Sequence, residues 1–254
     1  MTIDWNRQHA AIWRARKEYL RAVHHIDPIC PADLLGIDDQ KQALLTNTER
    51  FVNRLPANNA LLWGARGTGK SSLIKAVFNQ YREQGLRLVE VDKTDLLFLP
   101  EIVDEIRDAE HRFIIFCDDL SFEANETHYK ALKSVLEGSI ELPPENILIY
   151  ASSNRRHLVP ESMQDNRNSS MIEGELHYAD AIEEKISLSD RFGLWLSFYA
   201  PNQDQYLAMV DHYFAAFKGD RQNLHREALR FSQFKGGARS GRTAKQFFNS
   251  FQQP

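Results

Sequence analysis

Two cysteines, Cys30 and Cys117, are all that the 254-residue chain carries. Two isolated thiols make neither a disulfide scaffold nor a metal-ligand cluster, and they fit a reducing compartment. The histidines, His24 and His25 among them, show no ligand spacing with cysteine or acid, which argues against a zinc site. No apolar run approaches the roughly 20 residues of a membrane span. The opening stretch, MTIDWNRQHAAIW, lacks the apolar core of a secretory signal. A cytoplasmic protein without membrane contact is the expectation. Nor is charge of one sign in excess. Against 31 Lys and Arg stand 35 Asp and Glu, a net charge of −4, so nothing draws the whole chain to nucleic acid or anionic lipid. Internal repeats are missing as well.

What is present is the composition of an ordinary globular protein, 43% hydrophobic and 26% charged, long enough for one large core or a core with a satellite. Strand-like runs lie at ALLW (60–63), LRLVEV (86–91), FIIFC (113–117), ILIYA (147–151) and LWLSFY (194–199). Several are apolar on both faces, as in a sheet covered on both sides. Helical spacing fills the gaps, over 70–84 and 126–137. Strand alternating with helix predicts an α/β fold with a parallel sheet of about five strands. After Tyr199 the pattern is helical only, over 203–217, 221–234 and 241–251, with Ser240 a candidate N-cap. This predicts a small all-helical C-terminal lid, hinged near Pro201-Asn202. Trp5, Ile12, Trp13, Leu20 and Val23 predict an amphipathic helix over 5–23. The expected organisation is an N-terminal helical extension (1–32), an α/β domain (33–200) and the lid (201–254). The polar stretch 160–177 carries no assignable pattern.

FIIFCDDLSFE (113–123) runs an apolar strand into two acids. A carboxylate at such a place must be solvated, paired or bound to metal. Its counterpart is GARGTGKS (64–71), which fits G-x-x-x-x-G-K-[ST] with a strand before it and a helix after it. Glycines let the backbone turn its N–H groups inward on phosphate oxygens, and the helix that begins at Lys70 adds its positive end. The candidate nucleotide-binding segment is Gly64, Ala65, Arg66, Gly67, Thr68, Gly69, Lys70, Ser71 and Ser72. Lys70 is placed to reach the β- and γ-phosphates, and Ser71 and Asp118 to serve Mg²⁺.

Further polar signals follow in order: DLLGIDDQ (33–40), Asn154 at the end of ILIYASSN, Arg191 in ISLSDRFGLWLSF, and Arg239 and Arg242 in GGARSGRTAKQFF. This order resembles the AAA+ ATPase superfamily of P-loop NTPases. Over about residues 33–251, GARGTGKSSL, FCDDLSFE, ASSNRRHL and EEKISLSDRFGLWLSF resemble a bacterial ATP-binding family catalogued as domain of unknown function 815. The resemblance implies that Asn154 is the sensor-1 residue and that Arg191 is an arginine finger presented to a neighbouring subunit. It implies that Arg242 is sensor 2, with Arg239 its rival, and that 33–40 cups adenine. Alternative readings stand beside these: Asn154 as a turn cap, Arg191 paired with Asp190 or a nearby Glu, Arg242 as a solvated first-turn residue. An arginine at a helix start opposes the dipole unless a phosphate balances it.

Many members of the superfamily place Glu after the metal aspartate. Here Asp119 stands there, one methylene shorter, and is the candidate catalytic carboxylate, with Glu123 a weaker one. The implied cofactors are ATP and Mg²⁺, the implied assembly a homo-oligomer acting on a protein or nucleoprotein partner. A slow-hydrolysing, nucleotide-gated adaptor or loader is the alternative. A small-molecule phosphotransferase is disfavoured by the Asp-Arg-Phe segment and lid, and a GTPase by the absence of Asn-Lys-x-Asp. The short stretch from Gly138 to Ile147 leaves little room for an extra hairpin. Basic residues from Lys218 to Lys245 outnumber acids, a possible nucleic-acid footprint, but a solvated lid surface is favoured. Phe231, Phe234, Phe247 and Phe248 recur at helical spacing and read as core.

Overall fold

Strands buried on both faces need layers on both sides, and the chain supplies them. The computed structural model describes residues 3–122, 129–138, 140–155, 158 and 188–251. The five expected strands form as β3 (Ala60–Gly64), β4 (Leu86–Val91), β5 (Arg112–Cys117), β6 (Ile147–Ser153) and β7 (Leu194–Phe198). Alternate residues of β5 serve opposite layers. Phe113, Ile115 and Cys117 enter one core with Val89, Ile102, Leu132 and Ile149. Ile114 and Phe116 enter the other with Leu62, Leu73, Val77 and Tyr150. All these side chains are less than a tenth exposed.

The sheet is wider than expected, and the N-terminal helix is not there. Ala10–Arg14 is a strand, β1, and Tyr19–Ala22 another, β2. They form an antiparallel hairpin, turned by a 3-10 segment that ends on Glu18 at φ 47°. β1 pairs in parallel with β4, Ala11 opposite Val89. Among the described residues the sheet has seven strands in the order β2-β1-β4-β5-β6-β3-β7. The spacing of Ile12, Trp13, Leu20 and Val23 satisfies a helix on paper. Pairing with the open side of β4 supplies backbone hydrogen bonds, and the sheet face takes Ala11, Trp13 and Leu20 into the main core. Tertiary pairing overrides a local period when it buries more. Within the first 32 residues, Ala10–Arg14 and Tyr19–Ala22 therefore extend the sheet.

Helices α1 (Asp38–Val52), α2 (Lys70–Tyr81), α3 (Leu99–Ile106) and α4 (Tyr129–Glu137) cover the faces. α1 and α3 fall where the sequence reading placed no helix, although the segment 33–40 reaches into the first turn of α1. α1 is fixed by a buried polar contact: Asn47 Nδ2 donates to Tyr150 Oη at 2.9 Å, and Thr48 Oγ1 lies 2.8 Å from the same oxygen. Burial pushes the Tyr150 phenol up to about 12. The lid forms as α5 (Gln203–Tyr213), α6 (Arg221–Phe234) and α7 (Gly241–Ser250). Asn202 and Gln205 make a reciprocal capping box at the start of α5, beside the expected hinge. The lid has its own core of Tyr206, Val210, Phe214, Leu224 and Phe247. Of the four phenylalanines read as core, Phe231 and Phe247 pack inward, but Phe234 is 79% exposed and Phe248 44%. Among the described residues no helix is long and apolar enough to cross a membrane.

Trp13 is 4% exposed, and its indole Nε1 has no hydrogen-bond partner among the described residues. Replacing it with Ala should cost about 3–5 kcal/mol in a urea melt. Trp13→Phe should cost less than half of that, because a ring still fills most of the space while the unpaired donor is gone in both variants. Equal losses would mean that the hairpin is not held by this ring.

Candidate functional site

The loop after β3 is shaped by what a side chain would strike. A Cβ on Gly64 would lie 2.0 Å from the carbonyl oxygen of Phe198 on β7, and the Ala65 N–H donates to that same oxygen at 3.1 Å. Gly67 and Gly69 hold φ of 76° and 99°, the left-handed region that glycine enters without strain. A Cβ on Gly67 would be 2.9 Å from Ser240 Oγ, which places the loop against the lid. Thr68 Oγ1 ties the curl to the Ala65 carbonyl at 2.8 Å. α2 then starts on Gly69 with no side-chain cap. Its first-turn N–H groups carry no side-chain acceptor and form the positive end that phosphate needs.

Lys70 is 6% exposed. Its ammonium donates to the carbonyls of Gly64 and Ala65, both at 2.8 Å, and to Asn154 Oδ1 at 3.1 Å. Burial holds its pKa below the ordinary lysine range; Asp119 and Asp118 pull it back up, and Arg242 and Arg66 press it down. Asn154 turns its other end on the second aspartate, Nδ2 donating to Asp119 Oδ1. Lys70, Asn154 and Asp119 thus form one hydrogen-bonded chain, with Asn154 as its link. Asp119 sits at φ 50°, so the chain leaves the extended strand conformation there.

Asp118 is gathered by a different set. Ser71 Oγ and Ser152 Oγ both donate to its Oδ1 at 2.5 Å, and the Asp119 N–H reaches it at 3.1 Å. Oδ2 accepts no hydrogen bond among the described residues and is the oxygen open to a cation. Ser152 was not foreseen. The signal was there: Cys117 pairs with Ala151 across β5 and β6, which sets Ser152 beside Asp118.

The segment read as the adenine cup adjoins the loop. Leu34 and Ile37 are the nearest atoms to a Cβ on Gly69, at 3.9 and 3.6 Å, and Gln40 Nε2 donates to the Ser197 carbonyl at 2.8 Å. A Cβ on Gly36 would find Gln205 and Met209 of α5 at 3.8 Å, so Met209 joins this region unforeseen. Ser240 caps α7 as expected, accepting from Thr243 N at 3.1 Å. Arg242 Cβ would lie 3.7 Å from a Cβ on Gly67, whereas Arg239 donates to Gln203 Oε1 at 3.3 Å. Arg191 is brought to Glu137 at the end of α4, and its Nε donates to that carboxylate. Glu123 and 160–177 lie outside the described residues. Ser72 follows Ser71 in the first turn of α2, and Arg66 is exposed on the loop.

These residues fit a triphosphate with magnesium. The loop is a cradle that a Cβ would fill. Ser71 and Asp118 present two hard oxygens side by side, which is how Mg²⁺ is held when phosphate and water supply the rest. Among the described residues no group of three or more His, Cys, Asp or Glu gathers to hold a metal by itself.

A parallel sheet with a glycine loop after one strand, an acid after its neighbour but one and a helical lid define the AAA+ ATPase fold. The chain belongs to the family described as "Protein of unknown function (DUF815)", which matches residues 6–253. No curated protein matches it. Among solved structures, a mutant of RuvB from Thermotoga maritima is similar with a TM-score of 0.59 at 14% identity, over 88% of this chain and 65% of that one. The structure titled as the Thermotoga maritima RuvB Holliday junction branch migration motor gives 0.55 at 14%, over 87% and 63%. The FIGL-1 AAA domain in complex with ADP gives 0.55 at 19%, over 89% and 73%. The chain spans less than two thirds of the length of these RuvB chains.

Gly64→Ala should prevent closure of β3 on β7 and lower the denaturation midpoint sharply. Gly85→Ala, equally left-handed at φ 94° but with nothing within 4 Å, should cost only about 1–2 kcal/mol. If the two variants melt together, the Phe198 contact does not set the loop.

Proposed function

We propose that this chain binds Mg²⁺-ATP between its α/β body and lid, hydrolyses it at a subunit interface, and uses the cycle to remodel a protein or nucleoprotein partner. The observation that carries this reading is the Lys70–Asn154–Asp119 chain, set beside the Ser71–Asp118 pair. Magnesium, when bound, would offset phosphate charge and align the phosphates. The first-turn amides of α2 and Lys70 take the β- and γ-phosphate oxygens, the ammonium exchanging its loop carbonyls for them. Ser71 and the free Oδ2 of Asp118 serve the cation. Asp119 accepts the proton of the attacking water, and Asn154 holds that water in line. Arg242, at the lid edge of the loop, is sensor 2 in this reading; Arg239 is turned to Gln203 and is not. Arg191 completes the site of the next protomer.

A second reading has its own support. In the single chain Asp119 is engaged by Asn154, and Arg191 by Glu137. A protein so arranged is a nucleotide-gated switch with slow turnover until a partner or neighbour draws these groups away. The RuvB title, a branch migration motor, supports a nucleoprotein among the candidate partners. Against a lid footprint for nucleic acid, Arg221 and His225 are engaged with Asp211 at 3.1 and 2.8 Å.

ATP hydrolysis per protomer should climb with protein concentration at saturating Mg²⁺-ATP. A flat, measurable rate would make Arg191 structural. Lys70→Ala should abolish nucleotide binding, and normal affinity there would sink the site. Arg191→Ala should spare binding and remove turnover. Arg242→Ala should lower turnover about tenfold or more, and Arg239→Ala little; the reverse order would exchange their roles.

A further inference from the structure

The sheet edge opposite the phosphate loop holds a second concave surface. Where β3, β5 and β6 begin, a cavity of about 440 Å³ opens between the α1–β3 connection, Arg112 and the end of α4. A shallower depression of about 380 Å³ adjoins it and shares Pro56 and Ala57. The two depressions share the wall made by Pro56 and Ala57 and give this end of the sheet one grooved surface. Its lining carries Arg50, Arg54 and Arg112 against Glu145 alone, in a chain whose net charge is −4.

None of these arginines has a carboxylate partner among the described residues. Arg50 donates to the Pro56 carbonyl at 2.9 Å, and Arg112 donates to the Glu145 backbone carbonyl. The Arg112 guanidinium lies 5.2 Å from the Phe51 ring. Burial lowers its pKa, the nearby charge of Arg54 lowers it further, and the Glu145 carboxylate raises it in part. Like charges brought together on a partly buried surface are costly unless an anion joins them. Arg54 also holds φ of 60°, a conformation that glycine or asparagine takes more easily. Beside the charges the surface is apolar. Val135 and Leu136 form one wall, and Leu55, 51% exposed, stands at the rim. Leu142, next to the lining residue Pro143, is 86% exposed.

We propose that this groove binds an acidic peptide segment of a protein partner, a carboxylate taken between Arg54 and Arg112 and a neighbouring apolar side chain laid on Leu55, Val135 and Leu136. The paired guanidiniums select the carboxylate, and the apolar wall selects its neighbour. Val135 and Leu136 lead directly into Glu137, which holds Arg191, so the occupied groove bears on that helix end. Only this last link rests on reading Arg191 as a finger; the binding does not.

The test is fluorescence anisotropy of a fluorescein-labelled peptide of Gly-Leu-Glu repeats on the full chain. Saturable binding is expected, weakened about tenfold or more in both Arg112→Met and Arg54→Gln. Arg54 is exposed, and Gln retains the same backbone strain, so that variant keeps its fold; an unchanged melting midpoint and unchanged Mg²⁺-ATP binding check this. The matched Gly-Leu-Gln peptide should bind at least about tenfold more weakly. The proposal is overturned if no peptide binds, if the Gln peptide binds equally, or if the variants leave affinity unchanged. It is also overturned if acetyl-leucyl-glutamate binds as tightly as the long peptide, which would make this a small-acid site. Displacement of the peptide by a single-stranded oligonucleotide, or self-association lost in the variants, would overturn it in favour of nucleic acid or a second copy. ATP binding lost in Lys70→Ala with peptide binding intact keeps the two sites separately testable.

Discussion

A carboxylate at the end of a buried strand is the constraint around which this structure is arranged. Asp118 leaves β5 directly after Cys117, which is fully buried. Its Oδ1 is satisfied from two other elements, by Ser71 of α2 and Ser152 of β6. Each hydroxyl bond to an ionised acceptor is short and stronger than a neutral one. The carboxylate therefore ties loop, helix and two strands at one point. Asp119 follows at φ 50°, its own N–H donating to the same Oδ1.

Three charged groups of the site, Lys70, Asp119 and Arg191, are engaged within the chain. Lys70 holds its own loop, Asn154 bridges Lys70 to Asp119, and Arg191 rests on Glu137. A buried ammonium with every donor used costs less than a bare one. The same satisfaction means that a ligand must replace each contact with one at least as good. In the proposed reading phosphate oxygens would do so at the loop, where carbonyls now stand.

The part of this arrangement carried by local pattern was legible in the sequence. GARGTGKS, the two-faced apolar runs and the Ser240 cap each follow from a few adjacent letters, and each lies where it was expected. What depends on pairing at long range was not. The β1–β2 hairpin has the spacing of a helix, and only the open side of β4 decides otherwise. Ser152 matters through its register with β5, which no single segment states. Glu137 and Arg191 meet from 54 positions apart. α1 was missed because its polar face is broad and its fixing contacts, from Asn47 and Thr48 to Tyr150, are side-chain bonds across the core.

Phe198 gives the edge strand β7 a mechanical role. Its carbonyl anchors the phosphate loop through Ala65 and forbids any side chain at Gly64. The next residues, Tyr199 to Pro201, run straight into the cap of α5, the root of the lid. Loop and lid therefore share a fulcrum. Ser240 and Arg242, at the start of α7, come back against Gly67, so both the root of the lid and its last helix bear on one short loop.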